Sequence, residues 1–524
     1  MDLPVRAGAD PTFPVGERTV CLMKYRVGGC VCGRLGVVIW VVCYENLGHD
    51  VLAGRQRCGA SRVSGGPGGA LGALSDRHGG SILGSVTSDL GGPDLTGDRI
   101  EVRSSGPLEG TLVVPGAKNS VLKLMAAALL CDGTTRLTNV PRIADVDIMG
   151  DLLAHIGLRV SRPSPDRVEL TNDGNITPEA PYRLVERIRA SINVLGPLLG
   201  RYGRVVLSMP GGDDFGSRPI DMHVDGLRMM GAEFKFAHGE LTATADRLRG
   251  ARIVFDYPSV GATENIVMAA VTAEGDTVID GAAREPEVVD LCRLLVSMGA
   301  DISGIGTAEL RIRGVGRDEL RPAEHHTVSD RIQAATYIAS VAVSGGHLTM
   351  LDARADDMEM FVRRCRDMGI EISAGTAMLG DREVPSMSVT STGRLRAVDV
   401  QTLPYPGVAT DYKPLIVTML SVADGVGVVT ENLYPGRFRY VEELMRLGAD
   451  ITTTGHHAAV RGRPRLSGAP VRAHDIRAGA AMVVAGLAAE GTTTITGVHH
   501  IDRGYDDLTG RLAGVGADIV RRHG

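Results

Sequence analysis

The sequence predicts an α/β protein made of six copies of one αβ unit, grouped as two similar globules of three units each. Two interleaved markers predict this. The first is a helix that ends in an apolar residue and Gly and runs into a short strand. It occurs at 152–160 (LLAHIGLRV), 227–234 (LRMMGAEF), 294–302 (LLVSMGADI), 365–372 (CRDMGIEI), 444–451 (LMRLGADI) and 512–519 (LAGVGADI). Its glycines are Gly157, Gly231, Gly299, Gly369, Gly448 and Gly516. They recur about every 70 residues, too long a period for a standard solenoid. The second marker is a Gly-led turn before a β-rich strand: Asp132-Gly133-Thr134, Glu274-Gly275-Asp276, Gly345-Gly346-His347, Asp424-Gly425-Val426 and Glu490-Gly491-Thr492, with a weaker copy at Tyr202-Gly203-Arg204. Gly after a helix is the usual left-handed cap, and runs of Thr, Val and Ile favour strands. Each unit therefore reads helix, Gly turn, strand, helix, Gly cap, strand. A cleft between two such globules is a favoured ligand site.

The first 97 residues break the pattern. Gly-rich runs such as Ser64 to Gly69 and Gly79-Gly80 carry no helix or strand periodicity and are costly to order. They predict a disordered or poorly packed extension, which also holds the single tryptophan, Trp40. Five of the eight cysteines (Cys21, Cys30, Cys32, Cys43, Cys58) fall there, leaving Cys131, Cys292 and Cys365 in the body. That is no disulfide framework and points to a reducing compartment. Cys30 and Cys32 lack a second pair, so no metal site is expected. The apolar run 35–43 is too short to span a membrane, and no small-residue cleavage site follows it closely. Net charge is −6, which offers neither nucleic acid nor an acidic membrane a bulk attraction. An anionic small molecule would need a local cationic pocket.

Basic residues in Gly- or Pro-marked turns supply the candidates. Lys118-Asn119 follows Pro115-Gly116-Ala117. Arg189 precedes Ala190-Ser191, and Arg218 ends the loop from Pro210 through Asp213-Asp214-Phe215-Gly216. Arg477 precedes Ala478-Gly479, and Arg503 sits in Ile501-Asp502-Arg503-Gly504-Tyr505. Taken singly, each has a bland reading: Arg477 and Arg503 could pair with Asp475 and Asp502, and Asp411 could cap a helix.

Together with 258–265 (PSVGATEN), 282–287 (AAREPE), Asp330-Arg331 and Thr410-Asp411, these segments resemble the UDP-N-acetylglucosamine enolpyruvyl transferases, from about Asp98 to the C-terminus. The resemblance implies a two-domain inside-out α/β barrel. Domain 1 is 118–327, with a catalytic loop at 208–219, and domain 2 is 98–117 plus 328–524. It implies transfer of enolpyruvyl from phosphoenolpyruvate to the 3-hydroxyl of UDP-N-acetylglucosamine, a uridine nucleotide acceptor, with release of phosphate, the first committed step of peptidoglycan synthesis. By that resemblance Lys118, Arg189, Arg218, Arg477 and Arg503 hold phosphoenolpyruvate, and Asp411 is the general base. Asn119, Arg189, Pro219, Asp221, Ser259, Val260, Gly261, Asp411 and Leu433 meet the acceptor. No cofactor and no metal are implied, and the protein is expected to be cytoplasmic, monomeric or weakly oligomeric.

Three positions depart from the family pattern. Asp213 stands where the mobile loop usually carries Cys, so a carboxylic acid replaces a thiol as proton donor and insensitivity to thiol-alkylating fosfomycin is expected; Asp214 could share the role. Val408-Ala409-Thr410-Asp411 replaces Phe-Pro-Thr-Asp and runs on into Tyr412-Lys413. Lys413 is expected to point to solvent; the alternative is a changed acceptor, a free uridine nucleotide such as UMP, as in peptidyl-nucleoside antibiotic pathways. Tyr257 stands where some members have Lys. A non-catalytic UDP-sugar sensor would have lost cations or base, and here the set is intact.

Overall fold

The computed structural model describes residues 97–211 and 219–524. The extension with its five cysteines and Trp40, and the expected site residues Asp213, Asp214 and Arg218, lie outside the described residues.

Six helix pairs follow in chain order: α1 (Lys118–Ala127) and α2 (Ala144–Ile156); α3 (Leu195–Tyr202) and α4 (Asp221–Met229); α5 (Val260–Ala270) and α6 (Pro286–Ser297); α7 (Arg331–Ser344) and α8 (Glu359–Asp367); α9 (Lys413–Ser421) and α10 (Tyr440–Arg446); α11 (Ile476–Leu487) and α12 (Leu508–Ala513). The first member of each pair is buried nearly all round. In α11 the sequence IRAGAAMVVAGL has no polar face to turn outward, and all twelve residues are buried. The second member is half-buried. In α8 only Phe361, Val362 and Cys365 lie inside, the spacing of one helix face. Each outer helix runs into its marker glycine, and all six marker glycines take positive φ, from 87° to 126°.

Six four-stranded sheets share one plan: an edge strand parallel to its neighbour, then two antiparallel pairings. In the third unit Arg252–Val254 runs parallel to Asp276–Asp280. That strand pairs antiparallel with Glu309–Arg313, which pairs antiparallel with Asp301–Ser303. The plan survives where the strands come from distant segments. Glu324–His326 supplies the parallel edge beside Gly133–Thr138. Leu108–Val113 does so beside Gly346–Leu351. Arg99–Arg103 lies between Thr492–Thr496 and Ile519–Arg522.

Two separate apolar cores result. One gathers residues within 121–320, the other residues within 100–114 and 332–519. The chain passes between them twice, and the two crossings bond to each other. Ala117 N–H donates to the Val328 carbonyl at 2.7 Å and Asp330 N–H to that of Pro115 at 2.8 Å. The Asp330 carboxylate caps α7 and accepts the Lys118 N–H at 3.3 Å. The first residue of α1 is thereby fixed to the first turn of α7. Among the described residues no helix is long and apolar enough to cross a membrane.

Candidate active site

A cavity of about 730 Å³ opens where residues of the two cores face each other. Lys118, Asn119, Arg189, Pro219, Asp221, Ser259, Val260, Gly261, Asp411, Leu433, Arg477 and Arg503 all line it. These are all the site residues expected from sequence except Asp213 and Arg218, which are outside the described residues.

Local structure explains the placement. Lys118, Val260, Arg331 and Ile476 open α1, α5, α7 and α11, and each lines the cavity. Four helix N-termini therefore bring their partial positive charge to one space, an arrangement that favours anions. Ser259 caps α5 through the Ala262 N–H. Gly261 lies so close to His223 that a Cβ would sit 3.1 Å from the imidazole. Asp475 caps α11, accepting the N–H groups of Arg477 and Ala478 at 2.8 and 2.9 Å. The Asp475 carboxylate thus holds the backbone of Arg477, and the guanidinium turns to Asp411 instead. Arg189 donates to the carbonyl of Pro210 at 3.1 Å, which anchors it two residues before the undescribed segment 212–218.

Two carboxylates organise the cations. Asp145, at the start of α2 and buried, meets Lys118 Nζ at 3.0 Å and Arg503 Nε at 2.8 Å. It joins a cation from one core to a cation from the other. Burial pushes the Lys118 ammonium below its usual range, and nearby Arg477 and Arg503 push the same way against the pull of Asp145. Asp411, in the short turn Thr410–Tyr412, accepts from Arg437 at 2.7 Å and from Arg477 at 3.4 Å. Burial would raise its pKa, but the two guanidinium groups outweigh that and hold it well below the usual carboxylate range. Arg477 Nη1 is buried with no hydrogen-bond partner among the described residues. A buried donor left unpaired is an anomaly that a bound anion would remove.

Elsewhere in the lining His223 is buried, and burial with Arg189 nearby pushes its pKa down to about 4. The ring is therefore neutral and accepts the Asn265 amide N–H at Nδ1, 2.9 Å away. Glu264 is wholly buried 3.4 Å from Lys123, and burial pushes its pKa up to about 7. Arg331 clasps Glu287 with two bonds of 3.0 and 3.2 Å and donates to the Tyr412 hydroxyl, again linking the two cores. Tyr257 lines the cavity beside Tyr434.

Several expectations change. Lys413 does not point to solvent: its side chain has no exposed surface and pairs with the equally buried Glu431 at 2.9 Å. The reason is its position as the first residue of α9, whose whole length is buried. Lys413 does not line the cavity either. Asp411 caps no helix. Arg503 takes Asp145 as partner, and Asp502 pairs with Arg521.

Sequence reasoning missed Asp145, Arg437, His223 and Glu264. Arg437 follows Tyr434-Pro435-Gly436, the same Gly-marked turn that singled out the other cations, so a signal was present. Asp145 carried none, because an acid in the first turn of a helix is ordinary.

The model of the EPSP synthase (3-phosphoshikimate 1-carboxyvinyltransferase) family matches residues 102–512. A UDP-N-acetylglucosamine 1-carboxyvinyltransferase of Nocardia farcinica is 48% identical over 429 residues, covering 81% of this chain and 98% of that one. Its counterpart from Mycobacterium tuberculosis is 46% identical over 424 residues, with coverage of 81% and 99%. Among solved structures, the enolpyruvyl transferase NikO from Streptomyces tendae superposes with a TM-score of 0.74 at 25% identity, covering 82% of this chain and all of that one. EPSP synthase from Acinetobacter baumannii shares the fold, with a TM-score of 0.64 at 18% identity over 81% of this chain and all of that one. With the family model spanning most of the chain and relatives this similar over nearly their full length, the chain belongs to the EPSP synthase family of carboxyvinyltransferases, alongside the UDP-N-acetylglucosamine 1-carboxyvinyltransferases.

Proposed function

We propose that the chain transfers the carboxyvinyl group of phosphoenolpyruvate to the 3-hydroxyl of UDP-N-acetylglucosamine with release of phosphate, the first committed step of peptidoglycan synthesis. One observation carries the reading: Lys118, Arg189, Arg477 and Arg503 converge with Asp411 in a single cavity. Phosphoenolpyruvate brings a phosphate and a carboxylate, and fixed cations in a low-dielectric cleft match both.

The reaction is addition followed by elimination. The acceptor hydroxyl oxygen attacks C2 as C3 takes a proton; phosphate then leaves C2 as C3 gives a proton back, which restores the C=C bond. Asn119 orients the hydroxyl, and Asp411 takes its proton. A carboxylate held by two arginines is a weak base, so it accepts that proton only as the new C–O bond makes the hydroxyl acidic. Asp213 is the donor to C3. Lys118, Arg189, Arg218, Arg477 and Arg503 stabilise the developing charge. Pro219, Asp221, Ser259, Val260, Gly261 and Leu433 form the acceptor side. The six sheets and two cores are read as two inside-out α/β barrels of three units each, 118–327 and 98–117 with 328–524, closing on the substrates. Cys131, Cys292 and Cys365 are free and buried, which fits a reducing cytoplasm.

The rival acceptor, free UMP, rested on the altered segment 408–413. Lys413 lies behind the cavity wall rather than in it. The relatives at 46–48% identity are enzymes of UDP-N-acetylglucosamine. Both points favour the UDP-sugar. The test is phosphate release from phosphoenolpyruvate with each acceptor: turnover with UDP-N-acetylglucosamine is expected, and turnover with UMP alone would overturn the reading. Fosfomycin is expected to leave turnover intact, since none of the described cysteines lines the cavity; time-dependent inactivation would contradict the assignment of Asp213.

A further inference from the structure

The buried pair Lys413–Glu431 ties together three pieces of the cavity wall without touching the cavity. Lys413 Nζ meets Glu431 Oε2 at 2.9 Å and also donates to the backbone carbonyl of Arg437. Glu431 accepts the Thr410 hydroxyl at 2.8 Å and the Thr402 hydroxyl at 2.7 Å. It also accepts the N–H groups of Leu433 and Tyr434, at 2.8 and 3.0 Å. The Arg437 guanidinium returns to Thr410 at 3.3 Å and to Asp411 at 2.7 Å. The bonds close a ring: Lys413, Glu431, Thr410, Arg437 and back to Lys413. Every member is fully or almost fully buried.

Stability alone does not account for such a pair. Two charges without exposed surface lose their hydration, and a well-packed apolar pair often matches or exceeds them. Burial pushes the Lys413 ammonium down to about 8 against the pull of Glu431. The pair does define geometry, since each charge accepts or donates only along fixed directions.

We propose that Lys413 is a positioning residue for the acceptor: through Glu431 it fixes the Thr410–Asp411 turn against the loop from Asn432 to Arg437, so that Asp411 and the acceptor-side backbone move as one unit. The proposal rests on the reading of Asp411 and Leu433 as acceptor-facing, and on no property of the phosphoenolpyruvate cations, which lie outside the ring.

The test compares Lys413→Met with Lys413→Gln in the full chain. The two side chains have similar size, and only Gln keeps N–H donors for Glu431 and the Arg437 carbonyl. Assays are run well below each variant's thermal midpoint, with whichever of UDP-N-acetylglucosamine and UMP the unsubstituted protein uses. Its own turnover tests the functional reading; the ratio of variant to unsubstituted protein tests this one. For Lys413→Met, kcat should fall about tenfold or more and acceptor KM should rise, the order of loss expected for a displaced catalytic group. KM for phosphoenolpyruvate should change less than acceptor KM, because its cations meet this ring at one remove, through the contact of Arg477 with Asp411. Lys413→Gln should recover most of the loss. A Met variant with a lower thermal midpoint but unchanged kcat and acceptor KM would overturn the proposal and leave a purely structural pair. Should Lys413→Met fail to fold, Glu431→Gln carries the same test: lower kcat with a smaller change in phosphoenolpyruvate KM than in acceptor KM supports it, and unchanged constants overturn it.

Discussion

Asp411 is held by Arg437 and Arg477, and its behaviour under substitution follows from that. Asp411→Asn keeps the shape, removes the proton acceptor and should lower kcat by about a hundredfold or more, the usual range for a lost general base. A variant with near-normal turnover would end the base assignment. Because the arginines depress its pKa, Asp411 stays ionised through the working range. A kcat/KM profile between pH 5 and 9 should therefore show no inflection that Asp411→Asn removes. Glu264 behaves in the opposite way. It holds its proton up to about pH 7 when folded, against 4.5 for an unperturbed glutamate. Between those values the folded state binds more protons than the unfolded one. Its contribution to stability is thus fully present below about 4.5 and is lost as pH rises through about 7. Glu264→Gln does not titrate, so variant and unsubstituted protein should diverge across this window. The balance should shift toward the variant by up to about 3 kcal/mol, at roughly 1.4 kcal/mol per unit; parallel thermal midpoints from pH 4 to 8 would refute the shift. Of this site, the exposed-looking cations in Gly and Pro turns were readable from sequence. Asp145 and Glu264 were not, because their importance comes from what lies opposite them in the other core or helix.

At the scale of elements, the repeat was readable because it rests on backbone conformation. A helix that stops in a left-handed residue selects Gly, and all six marker glycines have that φ. A second set of glycines gave no such sign. Gly314 and Gly462 each follow an inner strand, and a Cβ on either would stand 1.8 Å from the carbonyl oxygen of Ala273 or Ala423. The requirement arises from packing of strand end on helix end, which no local pattern announces. The two kinds should respond differently to Ala. Gly448 has positive φ and open space around its Cβ position, so Gly448→Ala should cost about 1–2 kcal/mol of backbone strain. Gly462→Ala must displace backbone and should cost more, roughly 3 kcal/mol or above. Denaturant midpoints of the two variants check the order, and equal losses would contradict it. Two of the parallel edge strands were also unreadable, since Glu324–His326 and Leu108–Val113 join sheets of units far away in sequence.

For the molecule as a whole, the cores are tied to each other by ion pairs, two of them in the cavity wall. Arg503 reaches Asp145, Arg331 reaches Glu287, and Arg142 reaches Asp506 at 3.1 Å. The Arg331–Glu287 pair is buried on both sides, so Glu287→Gln leaves a guanidinium partly uncompensated. A loss of about 3–5 kcal/mol is the usual result of breaking a buried pair. These pairs should hold the two cores together, so small-angle scattering of Glu287→Gln without substrates should give a larger radius of gyration, which saturating substrates restore. An unchanged radius would show that the crossings at 115–118 and 328–330 suffice alone.

The interleaved strands also dictate a timetable for synthesis on the ribosome. Arg99–Arg103 finds its two neighbours only in Thr492–Thr496 and Ile519–Arg522. At about 5–20 residues per second, that wait is roughly 20–80 s. During it the strand carries Ile100 and Val102, destined for the core, with both hydrogen-bonding edges open. Such a nascent strand is a natural client for chaperones and a seed for aggregation. A ribosome that stalls late in the message would release a chain whose first core can mature while its second has lost the partners of its earliest strand.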